Sequence, residues 1–275
     1  MKIFISVDIE GVAGVCEPLQ GQRGNAEYET ARHLMTQEAN AAICGAFDAG
    51  ATEITVADSH GPMRNMIVED LDPRARVVSG KPRPLSMIQG VRPDHDGIVL
   101  VGYHAAAGEP GILAHTISGL AFSRIEINGI VAGEPTIFAG YAAELGVPLL
   151  AVSGDDKVCG EVAKQFPDTH RIQTKTALGA QASDSLSPSE ARKLITEEVR
   201  EAVRQAHQQQ PHIPCKPPLD IKVEFMKQVH ADAISLLPHT ERLNARSISF
   251  SSDTYEQAIG SLSVFALVAQ ALTPR

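Results

Sequence analysis

Apolar positions along this chain fall in short unbroken runs, and most runs stop at a small or charged residue. The first, KIFISVD at 2–8, is β-branched and aromatic with no helical period, so it predicts a buried strand ending at Asp8. A polar, Gly-rich stretch follows. Residues 26–49, free of Gly and Pro except for Gly45 and closed by Gly50, then predict a long helix. The pattern continues with strands at 53–58 (EITVAD), 74–78 (RARVV) and 97–103 (GIVLVGY), and a short helix near 84–90. The segment SRIEINGIVAG at 123–133 alternates around Asn128-Gly129, the strongest hairpin signal in the chain. Glu134-Pro135 opens a helix to Leu145, proline being tolerated in a first turn, and a strand at 148–154 leads into a helix from Asp156.

Strands alternating with helices predict the α/β class, with a largely parallel sheet covered by helices on both faces. Past about residue 170 the texture changes. A charged helix starts at SPSEARK, where Ser187, Pro188 and Glu190 suit an N-cap, a first turn and a capping box. It runs to about Gln208 and stops at the proline-rich QQPHIPCKPP. A strand at 220–225, a helix at 228–235, a strand at 245–251 and a final helix from Thr254 complete the chain. The expected organisation is an α/β catalytic domain over 1–170 and a smaller C-terminal α+β subdomain over 171–275.

Composition narrows the function. At 275 residues the chain buries a sizeable core without disulfides, and its 43% apolar and 21% charged residues are those of a folded protein. The net charge of −9, with Lys and Arg scattered, lacks the basic footprint that nucleic acid selects. The four cysteines form no Cys-x-x-Cys pair, which argues against a thiolate zinc site or a disulfide scaffold. The apolar run after Lys2 ends at Asp8, too soon for a signal peptide, and no stretch approaches the roughly 20 apolar residues of a membrane helix. A cytoplasmic protein with no membrane partner is expected.

In an open α/β sheet ligands bind beyond the carboxyl ends of the strands, so the residues just after each apolar run carry the chemistry. There stand Asp8 and Glu10 after the first strand, Asp58-Ser59-His60 at the second, and Tyr103-His104 at the fourth; Glu134 follows the hairpin at a helix start. A lone Asp at a strand end is usually a turn former or cap. Convergence of several such ends on one sheet edge is what selects a metal site. Carboxylate and imidazole donors without sulfur suit zinc, manganese or iron. Five ligands exceed the three that one catalytic zinc usually takes from protein and suffice for two ions if Asp8 bridges. His115, eleven residues after His104, reads either as an ordinary exposed histidine or as a proton-transfer group. Asp155 and Asp156 read as a helix cap and hydrogen-bond acceptors, and Ser59 and Asn65 as residues that orient ligands or substrate. Phosphate-cradling, dinucleotide-binding, His-Glu-x-x-His and nucleophile-elbow motifs are absent from the sequence.

The segments SVDIEGVAG (6–14), ADSHGPMRN (57–65), GYHAAAGEPGILAHT (102–116), INGIVAGE (127–134) and SGDD (153–156) resemble the dinuclear zinc D-aminopeptidases of the dipeptide-transport operon type. The resemblance extends through LSPSEAR at 186–192 and VEF at 223–225. It implies two zinc ions per chain held by Asp8, Glu10, His60, His104 and Glu134, with Asp8 shared, and a catalytic His115. It also implies a homodecamer of two stacked pentamers and a small peptide substrate such as D-Ala-D-Ala. Residues 17–25 and Pro135-Thr136-Ile137 depart from the family pattern. Two alternatives remain open. One is a metal-dependent amidase or phosphoesterase, which would want cations near the site and finds only Arg64 and Arg124 near these loops. The other is an assembly protein with a structural metal, although structural zinc sites are typically closed and cysteine-rich.

Overall fold

The strands, in chain order, are β1 (Lys2–Val7), β2 (Glu53–Asp58), β3 (Arg76–Val78), β4 (Gly97–Tyr103), β5 (Phe122–Ile127), β6 (Ile130–Val131), β7 (Leu149–Asp155), β8 (His170–Gly179), β9 (Ala182–Ser185), β10 (Leu219–Phe225), β11 (Glu241–Arg242) and β12 (Ser247–Ser252). The helices are α1 (Ala26–Asp48), α2 (Glu134–Glu144), α3 (Asp156–Gln165), α4 (Pro188–Arg204), α5 (Gln228–Ile234) and α6 (Tyr255–Ala271). This computed structural model describes residues 1–273.

Seven strands form one sheet in the order β3-β2-β1-β4-β7-β8-β9, parallel throughout except for the final β8–β9 hairpin. Continuous apolar runs make this possible, because side chains on both faces of a parallel strand are buried. Ile3, Ile5 and Val7 pack with Ala39 and Ile43 of α1 and Ile195 and Val199 of α4. Phe4 and Leu100 point the other way, into a core shared with Phe138 of α2 and Val158 of α3. The α/β class with helices on both faces is therefore the observed one. Strand order reverses between β1 and β4: β2 and β3 extend to one side of β1, whereas β7 and β8 extend beyond β4. Such a switch point opens a crevice at the strands' carboxyl ends.

A second, antiparallel sheet runs β11-β12-β10-β5-β6. Its inner face, including Ile125, Val223 and Ile248, packs in the same core as Phe138 and the α6 residues Ile259 and Leu262. This arrangement corrects the boundary expected at 170. Strands β8 and β9 and helix α4 lie after it but belong to the large sheet, whereas β5 and β6 lie before it yet pair with β10, Ile125 opposite Val223. The division runs between sheets, not between halves of the sequence. Two smaller expectations shrink: the 74–78 strand pairs only over Arg76–Val78, and the helix near 84–90 is a single 3-10 turn at Ser86–Ile88. Among the described residues no helix is long and apolar enough to cross a membrane.

Candidate metal centre

The chain brings its two central strand ends together with glycine. A Cβ on Gly11 would stand 2.0 Å from the Tyr103 carbonyl oxygen, and one on Gly102, whose φ is +71°, would stand 2.4 Å from that of Asp8. Only glycine fits there. The Gly11 N–H donates to the Gly102 carbonyl at 2.7 Å, so the loop after β1 lies directly against the end of β4 and Asp8 meets His104.

The carboxylate of Asp8 faces two imidazoles. Its Oδ1 lies 3.2 Å from His60 Nδ1 and its Oδ2 lies 3.4 Å from His104 Nε2. Glu10 Oε2 adds a second oxygen 3.0 Å from His60 Nδ1, and Glu134 Oε2 adds one 3.4 Å from His104 Nε2. Two sets result, His60 with Glu10 and His104 with Glu134, and Asp8 belongs to both. Ligand atoms of Asp8, Glu10 and His104 lie within 4.8 Å of one another, as do those of His104, His115 and Glu134.

Neighbouring carbonyls fix the tautomers. His60 Nε2 lies 2.8 Å from the Gly21 carbonyl, His104 Nδ1 3.0 Å from that of Ala105 and His115 Nδ1 2.9 Å from that of Leu113. A neutral imidazole donates from the nitrogen that faces a carbonyl, which leaves the other nitrogen as a bare lone pair. All three lone pairs thus face carboxylate oxygens, acceptor against acceptor. His104 Nε2 and Glu134 Oε2 are buried with no hydrogen-bond partner. Acceptors brought face to face in a buried site call for a cation between them, which is the condition a divalent metal meets.

Charge gives the same answer. Asp8, Glu10 and Glu134 are all buried, and among the described residues none has a Lys or Arg ion pair. Without metal, protons must take its place. Burial opposes the charged form of His104, but Glu134 and Asp8 outweigh it and hold its pKa well above the ordinary value; Glu10 and Asp8 do the same for His60 against a similar burial penalty. Burial likewise opposes ionisation of Asp8, yet His104 and His60 hold its carboxyl well below the usual range.

Each ligand has its own support. The Ile9 N–H orients Asp8 Oδ1 at 2.8 Å. Asp58 accepts the backbone N–H groups of Asn65 and Met66 and the Asn65 side chain, and Asn65 Nδ2 reaches the His60 carbonyl at 2.6 Å, so the loop after β2 folds back beneath His60. Asn65 therefore supports the loop that carries His60. Ser59 is buried under the site, bonded to Ser6 at 2.6 Å and to the Met87 carbonyl at 3.1 Å. Glu134, the first residue of α2, accepts the Ile117 N–H on Oε1 at 2.8 Å. Asp155 caps α3 through Lys157 and Val158 and also accepts the Ile112 N–H at 2.9 Å, which ties down the loop carrying His115.

That loop places His115 beside the candidate metal ligands. Its ring stacks on His104 with centroids 4.2 Å apart and planes 14° off parallel, and its Nε2 lies 4.0 Å from Glu134 Oε1. Its side chain is 22% exposed and lines a cavity of about 120 Å³ with Asp8, His60 and Glu134. Leu113 and Ile117 hold left-handed backbone, φ 53° and 63°, which branched side chains rarely adopt. The bonds from Leu113 N to the Ala180 carbonyl (2.9 Å) and from Ile117 N to Glu134 hold that backbone in place. His115 is thus partly buried beside this cluster, with Nε2 toward Glu134, and not an isolated surface histidine.

Three residues escaped the sequence reading. Lys81 and Arg83 line the cavity, whereas Arg64 and Arg124 do not, and Arg124 is paired with Glu109 and Glu126. Lys175, on β8, is buried and donates from Nζ to the carbonyls of Glu10 (2.6 Å), Val12 (3.0 Å) and Val15 (2.6 Å). It grips the loop that bears Glu10. No sequence motif marked it, because a polar strand residue reads as solvated. On the same loop the Ala13 N–H donates to Glu38 of α1 at 2.9 Å, and burial pushes the Glu38 carboxyl up from 4.5 to about 7. A raised carboxyl pKa means that folding favours the protonated form. This stabilisation is complete below pH 4.5 and is lost as the pH climbs through about 7. Glu38→Gln keeps the acceptor for Ala13 and does not titrate. Relative to wild type at matched metal content, its unfolding free energy is expected to rise by about 2–3 kcal/mol from pH 4.5 to pH 8 in chemical denaturation. A pH-independent difference would mean that Glu38 titrates alike in the folded and unfolded chains.

Comparison with known proteins agrees with the geometry. Residues 1–264 match the family model of the peptidase M55 D-aminopeptidases. A D-aminopeptidase of Bacillus subtilis (strain 168) is 35% identical over 241 residues, which cover 88% of this chain and 87% of the relative. The solved structure of the Zn-dependent D-aminopeptidase DppA from Bacillus subtilis, described as a self-compartmentalizing protease, superposes with a TM-score of 0.95 at 31% identity over the whole of both chains. A site that gathers three carboxylates and three histidines, on a fold shared from end to end with such an enzyme, places this chain in the D-aminopeptidase family of peptidases.

Proposed function

We propose that this chain is a zinc aminopeptidase that holds two zinc ions and removes the N-terminal residue of short peptides, D-residue dipeptides such as D-Ala-D-Ala foremost. The observation that carries the reading is the two-sided Asp8 carboxylate, one oxygen toward His60 and Glu10 and the other toward His104 and Glu134. The solved relative is a Zn-dependent enzyme, and the oxygen and nitrogen donors here suit that metal. Asp8, His60 and Glu10 would hold one ion, and Asp8, His104 and Glu134 the other.

Zinc held there supplies Lewis acidity, polarising an acyl oxygen and acidifying water. The protein's own residues do the rest. His115 keeps Nδ1–H on the Leu113 carbonyl, so Nε2 is free to take a proton and then return it to the leaving amine. Met63, Met87 and Leu267 wall the cavity and shield the reacting groups from bulk water. The solved relative compartmentalises itself, and this chain exposes Leu236, Leu237, Leu243, Met226 and Val229, apolar surface that suits a homo-oligomer. The proposed assembly is the decamer.

Lys81 and Arg83 in the cavity also suit a phosphoesterase, so the test must separate the two chemistries. The expected result is close to two zincs per chain, with chelator-sensitive amine release from D-Ala-D-Ala exceeding that from L-Ala-L-Ala and no phosphate release from a phosphomonoester. Phosphate release without amine release would overturn the peptidase reading.

A further inference from the structure

The cavity onto which the ligand set opens is lined by two cations, Lys81 and Arg83, as well as by carboxylates. Several arginines of this fold are paired with carboxylates: Arg74 with Asp72, Arg92 with Glu53 and Asp94, Arg124 with Glu126, Arg246 with Glu224. Among the described residues Lys81 and Arg83 have no carboxylate within ion-pair distance, although both border the space beside Asp8, His60 and Glu134.

Arg83 is held rigid by the backbone. Its Nε donates to the Ser86 carbonyl at 2.9 Å, Nη1 to that of Val78 at 3.3 Å and Nη2 to that of Asp58 at 2.7 Å. A guanidinium has five N–H donors, so two are left for a ligand, and carbonyls satisfy its hydrogen bonds without cancelling its charge. Lys81 stands at the exposed rim with no hydrogen bond to the protein among the described residues. Burial pulls the pKa of both side chains below their ordinary values, and for Arg83 the nearby Asp58 carboxylate only partly offsets it. One fixed guanidinium and one unpaired ammonium make a receptor for a planar anion.

An aminopeptidase sets the carbonyl of the first residue at its catalytic centre. In a dipeptide the free carboxylate then follows one residue later. We propose that Lys81 and Arg83 form a carboxylate subsite that anchors the free C-terminus of a two-residue substrate, so that chain length is selected by charge as well as by the size of the cavity. The inference rests on the peptidase reading and adds to it the group that recognises the far end of the substrate.

The test compares a dipeptide carrying a free carboxylate with its C-terminal amide on the assembled, zinc-loaded enzyme. Wild type is expected to favour the free acid by about tenfold or more in kcat/KM, the scale of a lost charge-assisted hydrogen bond. Lys81→Met should raise KM for the acid by about tenfold, leave kcat within about twofold and barely alter the amide, removing most of the preference. Arg83→Lys, which keeps the charge but loses the fork, should give a weaker form of the same pattern; Arg83 also ties the Asp58 loop, so Lys81→Met is the deciding variant. Equal use of acid and amide by wild type, or a parallel loss on both substrates in Lys81→Met, would overturn the subsite while leaving the peptidase reading intact. Failure of wild type to release amine from either substrate would instead overturn the peptidase reading, and the subsite with it.

Discussion

Asp8→Ala is expected to cut peptide turnover by roughly a thousandfold or more, beyond the 10–100-fold typical of residues that merely support a metal ligand. Asp8 is the one carboxylate that faces both histidine sets, Oδ1 toward His60 and Oδ2 toward His104. Its removal therefore weakens both metal positions at once. Zinc content should fall from near two per chain to one or none. Glu10→Ala and Glu134→Ala make the contrast, since Glu10 faces only His60 and Glu134 faces His104 and His115. Each should strip one position and leave the other filled. Metal analysis and amine release on the three variants, with circular dichroism to confirm folding, measure this directly. Asp8→Ala retaining two zincs and wild-type turnover would refute a bridging role.

How much of this was legible in the sequence depended on whether the signal was local. Strands β1, β2, β4 and β7 announce themselves because both of their faces are buried, which forces unbroken apolar runs, and just past three of those runs stand Asp8, His60 and His104. Asp8, His60 and His104 could be found on that ground alone. Strand β8 could not. In HRIQTKTALG the buried positions include Thr174 and Lys175, whose burial is satisfied by carbonyls of residues more than 150 positions away in the chain for Lys175 and by those of Gly11 and Gly154 for Thr174. Nothing local distinguishes such a segment from a solvated one. The misplaced boundary at 170 has the same origin, because pairing of β5 with β10 closes a gap of roughly a hundred residues that no periodicity records. Glu134 reads locally as any first-turn carboxylate, and it was the family resemblance, more than its position, that marked it as a ligand. Lys81 and Arg83 carried no pattern, and only the cavity gives them a shared purpose.

His115 was the least legible member of the site, and its substitution is the second large effect. His115→Ala should keep the wild-type zinc content, since the proposed ligands are Asp8, Glu10, His60, His104 and Glu134, and should lower kcat by about 10²–10⁴ with little change in KM, the range of general acid–base catalysis. The direction follows from the geometry. Nδ1 is committed to the Leu113 carbonyl, Nε2 faces the cavity near Glu134, and the ring lies flat on that of His104, so one nitrogen is presented in a fixed direction beside the ligand set. A group that returns a proton to the leaving amine matters least when the leaving group needs no proton. The rate loss in His115→Ala should therefore shrink sharply on an activated anilide relative to a dipeptide. A structural role would lower both rates alike, and a variant with wild-type turnover on the dipeptide would remove His115 from the chemistry altogether.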